Sequence, residues 1–335
     1  MKFGIFDHVD RSHLPLHEYY EARLKLVEYY DRNDFYAYHI AEHHQTPLGM
    51  APSPSVFLAA VAQRTKRLRF GPMIYALPLY HPIRMIEEIC MLDQMSGGRL
   101  EIGFGRGASP TELEYYGQDP KNAQQIYTEG VEMILKGLTE KTLTYHGQFF
   151  NFDNVPMELE PFQKPYPPIW YGAHAPESAA RAARRGLKVI ALDPPEEIRL
   201  SFDSFRAAWR ESQGETALPL MGIGRFVVVA PTDAEAVAIA RRAYPHWHAS
   251  FTHLRRTHNR LNLHPRPPTY DELTQNGQGI AGSPATVTAF LSKQLVDTGS
   301  NYLVGQFAFG DLSMDETLAS LALFVGEVMP ALRQL

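Results

Sequence analysis

Several features that would settle the class of this chain at once are missing or scarce. There is one cysteine, Cys90, so no internal disulfide can form and a disulfide-stapled secreted scaffold is excluded. A lone thiol fits a reducing cytoplasm, the expected compartment. No apolar run approaches the roughly 18 residues that cross a bilayer. The opening Met1-Lys2-Phe3-Gly4-Ile5-Phe6 turns polar at Asp7 and lacks the apolar core of a secretory leader. Positive charge is not in excess: 32 Lys and Arg against 37 Asp and Glu leave a formal net charge of -5. Neither nucleic acid nor an anionic membrane is therefore expected as a partner. Walker loops, serine nucleophile elbows and Cys-x-x-Cys pairs do not occur. What is present is ordinary globular material: 335 residues, 44% hydrophobic and 21% charged, enough for one large domain or two smaller ones.

Short apolar runs alternate with longer helical patterns. Runs at 2–6, 36–42, 68–75, 100–105, 169–172, 187–192, 222–229 and 302–309 read as strands. Helical patterns separate them. The clearest is 81–95, with Pro82 in its first turn and Gly97-Gly98 after its end. Residues 143–152 read as a small hairpin turning at His146-Gly147. Strands joined by crossover helices imply a parallel sheet, and eight such units close into a (β/α)8 TIM barrel. The rival is an open doubly wound sheet. No linker divides the chain, so 1–335 reads as a single domain with an insertion between the seventh and eighth strands. That insertion, 248–282, carries four histidines, several prolines and glycines, and reads as a long loop or lid.

In a barrel, chemistry is expected at the C-terminal strand ends. Glu42-His43-His44 follows the second strand; a rim histidine is a natural acid or base near neutral pH. Adjacent strand residues face opposite sides, which argues against a metal shared by His43 and His44; no metal is expected. Gly103-Phe104-Gly105-Arg106-Gly107 ends the fourth strand, where alternate glycines would let a ligand approach the backbone and Arg106 could grip a phosphate. Gly172-Ala173-His174-Ala175-Pro176-Glu177-Ser178 leads into a helix whose free N–H groups, with the Ser178 hydroxyl, would hold an anion, or would simply be capped. Asp7 and His8 either line the pocket or cap the next loop. Gly71 to Tyr75 reads as core packing.

Taken together, Ala41-Glu42-His43-His44, Leu77-Pro78…His81-Pro82-Ile83-Arg84, Leu92-Asp93-Gln94-Met95-Ser96-Gly97-Gly98-Arg99 and Gly103-Phe104-Gly105-Arg106-Gly107 resemble the bacterial luciferase family of flavin-dependent monooxygenases. Ala281-Gly282-Ser283-Pro284 and Glu327-Val328-Met329-Pro330 resemble that family's C-terminal part. The resemblance implies reduced FMN as cosubstrate, delivered by a separate NAD(P)H-dependent flavin reductase, and O2 activated for attack on a small organic substrate. It implies His43 as the catalytic acid/base, with Glu42 and His44 in support. It implies a non-prolyl cis peptide at Met73-Ile74 beside the flavin ring, a cofactor site that takes in Gly105 and Ala175, and phosphate contacts from Arg106 and Ser178. A lid over the site around 253–279 and a homodimer packed through the second and third helices, with Glu87 near the seam, are also implied. Three positions depart from luciferase: Gly105 replaces a reactive cysteine, Gln124 replaces a second phosphate-binding arginine, and the lid shows little likeness. Light emission from a long-chain aldehyde therefore does not transfer. A deazaflavin-dependent oxidoreductase, a non-catalytic flavin-binding protein and a metal-dependent hydrolase are the alternatives.

Overall fold

The computed structural model describes residues 1–107, 109–260 and 265–335. Strand β1 (Lys2–Asp7) leads to helix α1 (Leu16–Arg32), then β2 (Ala37–Ile40), α2 (Pro54–Arg64), β3 (Arg69–Pro72), β4 (Tyr75–Ala76) and α3 (Pro82–Ser96). Strand β5 (Ile102–Gly105) is followed by α4 (Pro110–Tyr115), α5 (Ala123–Thr139) and a hairpin, β6 (Thr142–His146) with β7 (Asn151–Pro156). Next come β8 (Ile169–Gly172), α6 (Pro176–Arg184), β9 (Lys188–Ala191), α7 (Pro195–Gln213) and β10 (Met221–Val229). After it stand α8 (Asp233–Phe251), α9 (His253–His258), α10 (Tyr270–Gln275), β11 (Gly279–Gly282), α11 (Pro284–Thr298), β12 (Tyr302–Gln306), α12 (Met314–Leu323) and α13 (Met329–Leu332).

The strands pair in parallel in the order β3-β2-β1-β12-β10-β9-β8-β5-β4. The ring closes where Phe70 bridges Leu100 between the third and fourth barrel strands. A Cβ on Gly71 would fall 1.7 Å from the Glu101 carbonyl oxygen, so only glycine permits this closure. The (β/α)8 expectation holds. Alternation sorts the side chains: Phe3 and Ile5 of β1 pack outward under the helices, while Phe6 faces an interior cluster with Trp170, Ile190, Tyr302 and Val304. Each fully buried large apolar side chain contributes roughly 1.5–3 kcal/mol. Pro82 and the left-handed C-cap Gly97 bound α3 as its sequence predicts. No helix of the described residues is long and apolar enough to cross a membrane.

Two expectations need correction, and two helices carry irregularities that local pattern does not announce. The apolar run 68–75 is two strands rather than one, broken at the cis peptide between Met73 and Ile74 that the resemblance implies. The final helix is interrupted by a π turn over Phe324–Val328. Helix α8 runs on through Phe251 despite Pro245. The insertion is not a plain loop: it holds α9, α10 and β11, and β11 pairs in parallel with the far half of β10, Phe226 opposite Gly279. Four residues of the expected lid, 261–264, lie outside the described residues.

The end of the barrel where the strands begin is plugged by polar groups. Glu101 is buried and accepts from Arg69 Nε at 2.6 Å, Lys188 Nζ at 2.7 Å, Trp170 Nε1 and the Tyr36 hydroxyl. Burial would raise its carboxyl, but Lys188 and Arg69 overcome this and hold it below the ordinary value. One layer above, His39 Nε2 meets the Tyr302 hydroxyl at 2.8 Å. Burial lowers the His39 imidazole to about 4, so it stays neutral.

Candidate active site at the barrel mouth

Register places the expected site residues at one end. Asp7 pairs with Ile40, Ile40 with Pro72, and Gly103 with Trp170, so the segments after β1, β2, β5 and β8 emerge side by side at the C-terminal rim. His43 and His44 lie beyond the end of β2, so strand alternation does not separate them. They are separated by their partners. His43 Nδ1 lies 3.2 Å from Glu112 Oε1, and the same oxygen accepts the His44 backbone N–H at 3.1 Å. A carboxylate only accepts, so Nδ1 of His43 carries the hydrogen; its Nε2 has no hydrogen bond among the described residues.

His44 is bound at both ring nitrogens. Nε2 lies 2.7 Å from Glu42 Oε1, and Nδ1 accepts from the Tyr116 hydroxyl at 2.8 Å. The other Glu42 oxygen accepts from the Ala76 N–H at 3.2 Å and the Tyr80 hydroxyl at 2.9 Å. This saturated network fixes the loop that carries His43. It leaves His44 and Glu42 no free valence for a ligand.

Glu112 was not singled out from the sequence. Its spacing from Ser109 is that of a capping box, which would turn a glutamate back on its own helix. Ser109 does cap, accepting from the Glu112 N–H at 3.3 Å, but the carboxylate goes to the two histidines. His8 is the other underread residue. Asp7 caps the loop, accepting from Val9 N–H at 2.8 Å and the Tyr38 hydroxyl at 3.0 Å. His8 lines the mouth, stacked on His43 with ring centres 5.8 Å apart and edge-on to Trp247 at 5.4 Å. Burial, then the charges of His43 and Arg266, hold the His8 imidazole well below its ordinary value.

The glycines of 103–107 make room for the chain itself. A Cβ on Gly103 would come within 2.5 Å of the Pro72 carbonyl oxygen, and one on Gly105 within 2.6 Å of the Ile74 side chain. They make room for the cis Met73-Ile74 segment. Gly107 is the one that needs its backbone freedom, with φ of 86°. Arg106 is exposed and makes no hydrogen bond or ion pair among the described residues. Across the β5–β8 seam, Ser178 is a cap: its hydroxyl donates to the Ala175 carbonyl at 2.8 Å and accepts the Ala175 N–H at 3.2 Å. That leaves the Glu177 and Ser178 amides of the first turn of α6 without a chain acceptor among the described residues. Gln124 is exposed on α5. The mouth thus combines an oriented imidazole, a second one held neutral, and a free cation beside a helix N-terminus.

Known proteins share this architecture. A family model described as luciferase-like monooxygenase matches residues 1–301. A Sinorhizobium fredii protein, y4wF, is 40% identical over 336 residues, 98% of this chain and 96% of that relative. The oxygenase component of the flavin-dependent trigonelline monooxygenase of Acinetobacter baylyi is 30% identical over 247 residues, 72% of this chain and 68% of its own. Among solved structures, monooxygenase RslO1 from Streptomyces bottropensis superposes with a TM-score of 0.89 at 24% identity, covering 98% of this chain and 99% of that one. Sequence and fold agree over nearly the full length: the chain belongs to the luciferase-like monooxygenase family.

Proposed function

We propose that this protein is the oxygenase of a two-component system. It takes reduced FMN from a separate NAD(P)H-dependent flavin reductase and uses O2 to oxidise a small organic substrate. The observation that carries the reading is His43, held on Nδ1 by Glu112 with Nε2 unengaged at the mouth. An imidazole so oriented can give or take a proton at Nε2. The flavin, when bound, supplies the oxygen chemistry. The chain's own residues bind it, orient it and exclude water.

The residues present fit a flavin mononucleotide. Its phosphate end would be held by Arg106 and the free amides at the start of α6, where the helix dipole favours an anion. Ser178 serves by shaping that turn. Ala175 flanks it, and Met73, Ile74 and Gly105 form one packed surface beneath the ring position. In this reading the protein is a homodimer whose second copy covers α2 and α3; the exposed apolar side chains Val56, Met91 and Met95 on those helices and the half-exposed Glu87 support that placement. Residues 248–260 and 265–282 act as the cover of the mouth in this reading, and the working compartment is the cytoplasm.

Oxygen uptake tests the proposal. With photoreduced FMN and a substrate panel, the wild type consumes O2 in proportion to product, and a reduced deazaflavin supports none. His43→Ala keeps the fold by circular dichroism and lowers turnover about 100-fold or more. Stoichiometric FMN binding with no oxidation of any compound would point instead to a flavin-binding protein without turnover. Wild-type rates in His43→Ala would remove the assigned acid/base.

A further inference from the structure

One cation and one donor at the mouth have no role in the scheme above. Arg266 sits in the insertion between β10 and β12, and its position is set by backbone contacts. Its carbonyl lies 3.2 Å from His248 Nε2, and the next carbonyl, of Pro267, accepts from the Tyr244 hydroxyl at 2.8 Å. The guanidinium itself, half-buried, makes no hydrogen bond or ion pair among the described residues. Asp193 and Glu197 attract it from beyond ion-pair distance, and Arg225 is repelled by it. Burial pushes it below the ordinary arginine value. An arginine withdrawn from water without a partner is unfavourable unless an anion completes it.

The unused donor is Trp247 on α8. It is 2% exposed, and its indole Nε1 is buried with no hydrogen-bond partner. Native proteins seldom leave such a donor orphaned without cause. His8 links the two groups: its ring packs edge-on to Trp247 and feels the charge of Arg266. Around the ring of strands, β12 lies between β1 and β10, and Arg266 follows β10 in the chain. Arg106 follows β5, on the far side of the ring. Between Arg266 and α6 stands Asp193 after β9, 3.0 Å from His174 Nδ1 and attracting Arg266; the FMN affinity of an Arg266 variant tells whether Arg266 also reaches the flavin phosphate.

We infer that the organic substrate is an acid, its carboxylate received by Arg266 with the Trp247 indole N–H as second donor and the His8 ring as the wall toward His43. One guanidinium and one indole N–H match the two oxygens of a carboxylate; a phosphate dianion would leave oxygens unbonded. The inference rests on the oxygenase reading of the mouth, and it deepens that reading by naming a substrate class.

Calorimetry on the flavin-free protein tests it. The probes are a panel of aromatic and aliphatic carboxylic acids beginning with benzoate, each beside its neutral amide, together with inorganic phosphate. At least one acid is expected to bind about tenfold tighter than its amide. Arg266→Gln abolishes that preference, Arg266→Lys restores part of it, and Trp247→Phe weakens the acid but not the amide. FMN affinity in Arg266→Gln stays within about twofold of wild type. The inference is overturned if no acid outbinds its amide, or if Arg266→Gln keeps the preference. It is equally overturned if Arg266→Gln loses FMN affinity as far as Arg106→Ala does, which would assign the cation to the cofactor phosphate. Oxygen uptake measured in parallel separates the two claims: an acid preference without any flavin-dependent O2 uptake supports the anion site and removes the oxygenase reading.

Discussion

The two ends of this barrel hold similar residues in opposite conditions. At the end where the strands begin, Glu101 collects Arg69, Lys188, Trp170 and Tyr36, and each charge meets its complement. At the other end, Arg106 and Arg266 have no partner among the described residues, Trp247 Nε1 is an orphan, and His43 uses only one ring nitrogen. Satisfied polar groups hold a structure together; unsatisfied ones wait for something that is not part of the chain. For these residues the difference separates those that serve stability from those that serve binding; His39 Nδ1, buried without a partner near the floor, is an exception to it. His44 makes the point within the mouth itself. Next in sequence to His43, it is saturated by Glu42 and Tyr116, and so belongs with the supporting structure.

The sharpest way to break the comparison is to remove the hub of the floor. Glu101→Ala leaves two half-buried cations without their shared carboxylate and is expected to cost about 3 kcal/mol, read by denaturant unfolding. FMN affinity of the folded fraction should not change; a loss of binding without a loss of stability would invert the assignment. Acid titration probes the same end. His39 titrates at 6.5 when unfolded and at about 4 in the fold. The unfolded chain therefore takes up the proton first, and stability falls as pH drops from 6.5 toward 4. The loss is about 3 kcal/mol, and His39→Gln should flatten that part of the stability curve.

At the mouth the expected effects appear in function instead. Glu112→Gln removes the carboxylate that orients His43 and should lower turnover about tenfold or more with little change in unfolding free energy. An amide can turn either its oxygen or its nitrogen toward Nδ1, so the pH–rate profile should change shape as well. Arg106→Ala is expected to weaken FMN binding about tenfold, the value of one charge-assisted contact at an exposed site, with unfolding again unchanged. Equal stability losses from floor and mouth variants would dissolve the distinction between the two ends.

Much of this was legible in the chain. The strand-helix alternation gives the barrel because periodicity of two and of 3.6 are written locally. The ends of α3 were readable from Pro82 and Gly97, since each constrains the backbone where it stands. The rim position of His43 followed from strand order. What was not legible depended on contacts between distant segments. Glu112 looked like an ordinary helix cap, and nothing nearby in sequence says that its carboxylate crosses to residues 43 and 44. At Gly103 and Gly105 nothing nearby in sequence says that Pro72 and Ile74 occupy the space a Cβ would take.

The sequence by itself determined the class of fold, the direction of the strands and the end of the barrel where chemistry can occur, because patterning and turn residues act over a few positions. Only the tertiary structure decided which histidine is free and which is saturated, and which arginines are left without a counter-charge. Those properties arise when strands and loops far apart in sequence close into one ring, and hydrogen-bond satisfaction is a property of the closed ring rather than of any segment in it.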